Sequence, residues 1–251
     1  MLVSFAQIGL VTAVIAMGLF VPVGATGIEG IEVGDLRSKL GVEKMGGSSR
    51  TIILIGASYA GGWNPGRPIV GFQIVNRGVS GQQSFEMLSR FETDVLALKP
   101  DAVIIWGFIN DIFRSDRAQI AKTLMRTRES TLAMVKLARK EGIMPILATE
   151  VTIRSKDGWL ETFEALIGRI LGKSSYQDYV NGHVVEVNRW IRDTAAREGI
   201  LLLDLEMVLA DQHGVRRKEF SQLDGSHISN RGYEALTQYA ENQLKAVIES
   251  R

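Results

Sequence analysis

Three short stretches of the chain hold residue types that together could carry out nucleophilic chemistry. The first, TIILIGASYAGGW (Thr51 to Trp63), delivers Ser58 at the end of an apolar, β-branched run and at the head of small residues. A serine there can attack an electrophilic carbon if a base takes its proton, or it can simply cap the helix that follows. The second, WGFIND (Trp106 to Asp111), places Asn110 just after another apolar run. A carboxamide can donate to developing negative charge without changing protonation, although Asn-Asp at such a place also makes an ordinary turn. The third, LDGSHISNRGYEAL (Leu223 to Leu236), sets Asp224 three residues before His227. A carboxylate at that spacing can accept from one imidazole nitrogen and fix the tautomer, leaving the other nitrogen to take a proton. Of the three histidines, only His227 has an acidic residue at that spacing and a helix-start signal after it; His183 and His213 are expected in glycine-adjacent surface loops.

These fragments need a scaffold that brings them together. Apolar runs at Thr51–Ala57, Ile69–Val75, Ala102–Trp106, Met144–Thr149 and Ile200–Leu205 have the length and β-branched content of strands. Segments of helical periodicity separate them. Ser84–Leu98 would align Phe85, Leu88, Phe91, Val95 and Leu98 on one face, and Gln119–Glu141 would align Leu124, Thr131, Val135 and Ala138. Val184–Glu198 and Asn230–Ile248 complete the set, and Pro100-Asp101, Gly142 and Gly199 stand where helices should stop. Strand and helix alternate, so the expected fold is α/β, a three-layer α/β/α sandwich around a five-stranded parallel sheet of order 2-1-3-4-5. In that order the first and third strands are neighbours, and Ser58 and Asn110 meet at the switch point, where open parallel sheets bind ligands. The long connection at about 152–182, with Trp159, Phe163, Tyr176 and Tyr179, reads either as a lid or binding loop or as a helical insertion packed on the domain.

At 251 residues the chain fits one substantial domain. Its 29 basic and 28 acidic residues give a net charge of +1, so no global field would attract nucleic acid. The absence of cysteine rules out a disulfide framework, a thiolate nucleophile, a lipidated cysteine and a cysteine metal site. No P-loop lysine and no G-x-G-x-x-G follows the first strand, which argues against a nucleotide-binding domain. Residues 1–25 are uncharged and mostly apolar, end in the small-residue sequence Val23-Gly24-Ala25 and carry no Lys or Arg. They are read as an export signal, with a retained membrane anchor over residues 2–23 and a buried first helix as the other readings. Either of the first two places the rest of the chain outside the cytoplasm, periplasmic or secreted. Residues 26–50 form a lead-in with a short helix around Val33 to Leu40, and 51–251 form the domain.

In their chain order, Ser, Asn and then Asp-x-x-His, the fragments resemble the SGNH hydrolases, the GDSL-like esterase and lipase superfamily. GASYAGG matches the first block, NRGVSGQQS (Asn76–Ser84) the second, WGFIND the third and DGSHISNRGY the last, from Thr51 to the C-terminus. The resemblance implies that Ser58 is the nucleophile, His227 its general base and then acid, and Asp224 the residue that orients His227. It further implies an oxyanion hole made of the backbone N–H groups of Ser58 and Gly81 and the side-chain amide of Asn110, with no metal or organic cofactor. Gly78 is a rival for Gly81. Three departures stand out: Gly-Ala-Ser for Gly-Asp-Ser, two residues (Phe108 and Ile109) before Asn110 where the pattern has one, and Ile228-Ser229 for Pro-Asn. The implied reaction is hydrolysis of a carboxylic ester through an acyl-serine. A small acyl group on a carbohydrate is the preferred substrate, with Tyr59, Trp63 and Phe108 expected to offer aromatic faces to it or else to pack in the core or rim. Lysophospholipids, thioesters, acyl transfer to a sugar hydroxyl, and a non-catalytic binding module on the same fold are the alternatives. No sequence signal sets the oligomeric state.

Overall fold

The computed structural model describes residues 50–154 and 175–249. Residues 1–49, where an export signal and a lead-in helix are expected, and most of the 152–182 connection lie outside the described residues. Strands β1 (Arg50–Gly56), β2 (Phe72–Gly78), β3 (Ala102–Trp106), β4 (Met144–Ala148) and β5 (Leu201–Leu203) form one all-parallel sheet of order 2-1-3-4-5, as expected. Ile52 to Ile55 have no solvent exposure, because β1 lies at the centre and is covered on both faces. Eight helices flank the sheet in the described residues: α1 (Ser58–Gly62), α2 (Ser84–Ser89), α3 (Phe91–Asp94), α4 (Ile109–Phe113), α5 (Ile120–Lys140), α6 (Tyr176–Glu198), α7 (Leu205–Leu209) and α8 (Asn230–Glu249). On α8, Leu236, Ala240, Leu244 and Val247 make the buried stripe. In register, Gly56 aligns with both Gly78 and Trp106. Three neighbouring strands therefore end level, and the chain leaves them in three adjacent loops.

Several boundaries differ from expectation for identifiable reasons. Strand β2 starts at Phe72 rather than Ile69, because Ile69 and Phe72 exchange both backbone hydrogen bonds (2.9 Å) across Val70 and Gly71. Both central residues have positive φ, 49° and 79°, the signature of a tight type I′ turn. The apolar side chain of Ile69 is buried, but in the turn. Strand β5 stops at Leu203, because Asp204 accepts from the Met207 N–H and caps α7. The helix expected over Ser84–Leu98 is broken at Arg90 and again at Val95. Met87, Phe91 and Val95 face inward, whereas Phe85 and Leu98 are exposed. Arg90 instead reaches back to the carbonyl of Gly56 (3.1 Å) and the side chain of Gln82 (2.6 Å).

Helix α6 starts at Tyr176 rather than Val184, with a capping box between Ser175 and Asp178. Gly182 and polar Asn181 hide this turn from a periodicity reading. Asn181 is nonetheless buried, accepting from the Ile153 N–H and donating to the Ile153 carbonyl, both at 2.8 Å. His183 is thus helical, its ring edge-on to Tyr179 at 4.8 Å, and not in a loop as expected.

The centre of α6 fixes the end of β4. Fully buried Asn188 accepts from the Glu150 N–H (2.8 Å) and donates to the Glu150 carbonyl (2.7 Å) and the Glu206 carboxylate (2.9 Å). Replacing it with the apolar near-isostere leucine strands the N–H and carbonyl of Glu150, each at a cost of about 1–3 kcal/mol, while Glu206 keeps its bond from Arg192. Asn188→Leu is expected to lower the unfolding free energy in urea by about 2–5 kcal/mol. A loss under about 0.5 kcal/mol, the size of an ordinary surface change, would show that these bonds do not hold the strand end.

Candidate active site

Ser58 is the first residue of α1, and Ala57 occupies the capping position. The cap is backbone only: the Gly61 N–H donates to the Ala57 carbonyl at 2.9 Å, with no side-chain cap. The Ser58 hydroxyl does not serve as the cap and has no hydrogen-bond partner among the described residues. It sits half-exposed at the level strand ends. Ala57 itself is buried, so the position where the motif has aspartate is filled by a methyl group packed inward.

Gly81 lies in the turn after β2, with φ at +79°. A Cβ there would be strained and would lie 3.0 Å from the Arg114 guanidinium, so the turn calls for glycine. Its rival Gly78 has another task, since a Cβ on Gly78 would fall 2.1 Å from the Gly61 nitrogen. Gly78 lets α1 pack on β2, while Gly81 stays half-exposed in the turn. Asn110 is in the first turn of α4, where its Nδ2 donates to the Gln82 carbonyl at 3.0 Å. One amide hydrogen is used there, and the second remains to be donated.

The next residue, Asp111, is fully buried and accepts from the Ser84 N–H and hydroxyl (both 2.7 Å) and from the Thr127 hydroxyl (3.1 Å). Burial pushes its carboxyl above the usual range against the hydrogen bonds from Ser84 and Thr127. Asn110 and Asp111 together staple the Gly81 turn to α4.

Asp224 and His227 lie in one tight turn. Asp224 Oδ1 accepts from the backbone N–H groups of Ser226 and His227 at 3.0 Å, and Oδ2 pairs with His227 Nδ1. The Nε2 of His227 has no hydrogen-bond partner among the described residues, so it is not bonded to the Ser58 hydroxyl; such bonds often tighten only when substrate is present. Burial alone would raise the Asp224 carboxyl, but hydrogen bonds from the His227 ring, the His227 backbone and Ser226 outweigh it and hold the group well below the usual range.

This turn is tied to the serine side by Tyr59, whose hydroxyl donates to the Ser226 carbonyl at 2.5 Å and whose ring is edge-on to His227 at 6.3 Å. Fully buried Arg216 lies 5.5 Å from the Tyr59 ring and donates to the Gly225 carbonyl at 2.8 Å. Tyr233 donates to the Tyr59 carbonyl at 3.0 Å, and burial pushes its own hydroxyl up to about 12, so it remains a donor.

The pattern of the GDSL-like Lipase/Acylhydrolase family matches residues 55–235, a span that runs from the end of β1 into α8 and contains every group just described. The chain belongs to this family. A G-D-S-L family protein of known structure from Desulfitobacterium hafniense aligns with a TM-score of 0.58 and 26% identity, over 77% of this chain and 98% of that one. Two curated relatives match locally. One is an uncharacterised lipoprotein of Bacillus subtilis, YqeF, 36% identical over 87 residues, or 34% of this chain and 35% of that protein. The other is an acetylxylan esterase of Geobacillus stearothermophilus, 45% identical over 47 residues, or 19% of this chain and 22% of that enzyme. The chain thus spans about a third and about a fifth of the length of these two relatives.

Within this GDSL-like domain the expected aromatic lining is corrected. Tyr59, Trp63 and Phe108 are 5%, 2% and 2% exposed and belong to the core. Trp63 stands edge-on to Trp106 at 5.7 Å and donates Nε1–H to the Thr237 hydroxyl at 2.9 Å, which turns it inward. Sequence reasoning also missed Asp111, Glu150, Arg216 and Tyr59 as holders of the loops. The available signal was charge beside a strand end, since Glu150 follows β4 within two residues. Among the described residues no group of three or more His, Cys, Asp or Glu is placed to hold a metal ion.

Because the Asp224 carboxyl is depressed in the folded state, the stability it adds is fully present above its unfolded value of about 3.9 and is lost as pH falls toward its folded value. The stability difference between the wild type and Asp224→Asn is therefore expected to be larger at pH 5 than at pH 2, shrinking below about 4. Urea titrations from pH 8 to pH 2 check this. A difference that does not change with pH would show that the folded state does not favour the carboxylate.

Proposed function

We propose that this GDSL-family chain hydrolyses carboxylic esters through an acyl-serine intermediate. The observation that carries the reading is the pairing of His227 Nδ1 with Asp224, in a turn fastened by Tyr59 to the helix that begins with Ser58. In this scheme Ser58 Oγ attacks the ester carbonyl carbon while its proton passes to His227 Nε2. The carbonyl oxygen becomes an oxyanion that receives hydrogen bonds from the N–H groups of Ser58 and Gly81 and from Asn110 Nδ2. The carbon–oxygen bond to the alcohol breaks, and the imidazolium returns the proton to the departing alkoxide. Water then repeats the sequence on the acyl-serine and releases the carboxylic acid. Asp224 stays ionised and stabilises the imidazolium.

For the substrate, a short acyl group on a carbohydrate is supported by the local match to the acetylxylan esterase, and no longer by Tyr59, Trp63 or Phe108, whose faces are buried. Export is supported by the mostly apolar residues 1–25 and by the likeness to a lipoprotein.

The purified chain is expected to turn over acetylated xylooligosaccharides and p-nitrophenyl acetate faster than long-chain esters, and exported material to begin near Thr26. A serine-directed phosphonate should add once, at Ser58. Ser58→Ala should lose the adduct and roughly 1,000-fold or more of the turnover. No turnover on any ester together with no adduct would replace the enzyme reading with a binding module.

A further inference from the structure

The entry to α4 has no cap of its own. Phe108 is the capping residue, it has no side-chain acceptor to offer, and Phe108 and Ile109 are both 2% exposed. Their N–H groups would be orphaned in the interior, which is costly. The acceptor comes from another strand end. Glu150, 1% exposed just beyond β4, accepts from the Phe108 N–H at 3.0 Å and the Ile109 N–H at 3.2 Å through Oε2. Its Oε1 accepts from the Val151 N–H at 3.1 Å. The backbone of Glu150 is itself clamped on both sides by Asn188. Phe108 and Ile109 are the two residues that separate Gly107 from Asn110, so the N–H groups of this lengthened spacer are the ones Glu150 gathers.

We propose that Glu150 is a positioning residue for Asn110: its buried carboxylate captures both N–H groups of the spacer, fixes the first turn of α4, and thereby aims the Asn110 amide at the oxyanion. The proposal rests on the oxyanion role given to Asn110 above. Asn110 is then held from three directions, by Glu150 through the backbone before it, by Gln82 on its side chain, and by Ser84 through Asp111 after it. A carboxylate suits the task because its two oxygens accept three N–H bonds and offer no competing donor.

The test is a double-mutant cycle on p-nitrophenyl acetate, with folding checked by circular dichroism and urea titration. Asn110→Ala is expected to lower kcat roughly 100- to 1,000-fold, the usual loss for one oxyanion donor. Glu150→Leu removes the acceptor from the Phe108 and Ile109 N–H groups and is expected to lower kcat about 10- to 100-fold, with KM within about twofold, because the defect concerns the transition state. In the Asn110→Ala background the same change should cost less than about twofold more, because the two residues act through one group. Glu150→Asp keeps the charge but ends one methylene short, and it should lose kcat as well; this second variant serves if Glu150→Leu does not fold. Losses that multiply in the double variant, or full kcat in either Glu150 variant, overturn the proposal and leave the role of Asn110 standing. Unchanged kcat in Asn110→Ala overturns the oxyanion role and the proposal together.

Discussion

Parallel strands that end level create a debt of backbone hydrogen bonds. When β1, β2 and β3 stop in the same register, the chain leaves them through adjacent loops, and each N–H or carbonyl buried there needs a partner. Several of the partners are side chains distant in sequence from the groups they satisfy. Asp111 meets the N–H of Ser84, Glu150 those of Phe108 and Ile109, Arg90 the carbonyl of Gly56, and Arg216 that of Gly225. Each bond satisfies one loop and fixes its position relative to the next. The candidate site is the surface expression of this requirement.

Charged side chains suit the task although burying them is expensive. A carboxylate that accepts several N–H bonds recovers part of its lost hydration, and a neighbouring arginine recovers more. The carboxyl of Glu150 is still pushed upward by burial, against the N–H groups of Phe108, Val151 and Ile109 and the charge of Arg216. The cost is borne at the one edge of the sheet where geometry must be accurate. Helix α1 begins at Ser58 with no side-chain cap, its turn held by the Ala57 carbonyl, by Gly78 beneath it and by Tyr233 on the carbonyl of Tyr59.

Much of this was legible in the sequence where the signal is local. The continuous apolar runs of β1, β3 and β4 mark central parallel strands almost to the residue, and the Asp-x-x-His spacing anticipates the Asp224–His227 bond. Reading failed where one side chain serves two purposes. Ile69 looks like the start of a strand because it is apolar, but it is buried in a turn; Asn181 looks like a loop residue because it is polar, but it is buried in a helix with its amide satisfied. Trp63, close after Ser58, reads equally as a substrate-facing ring or as core packing, and the short α1 turns it into the core. Glu150 could not be found from its own neighbourhood, because its partners Phe108 and Ile109 lie on a different strand's loop and long-range pairing leaves no local pattern.

The central claim is that the three loops present their donors to one point in front of Ser58. A crystal structure of the protein phosphonylated at Ser58 measures this directly, because the phosphoryl oxygen stands where the oxyanion forms. That oxygen should lie about 2.7–3.1 Å from the Ser58 nitrogen, the Gly81 nitrogen and Asn110 Nδ2. A phosphoryl oxygen pointing to solvent, or an Asn110 amide turned away from it, would contradict the claim.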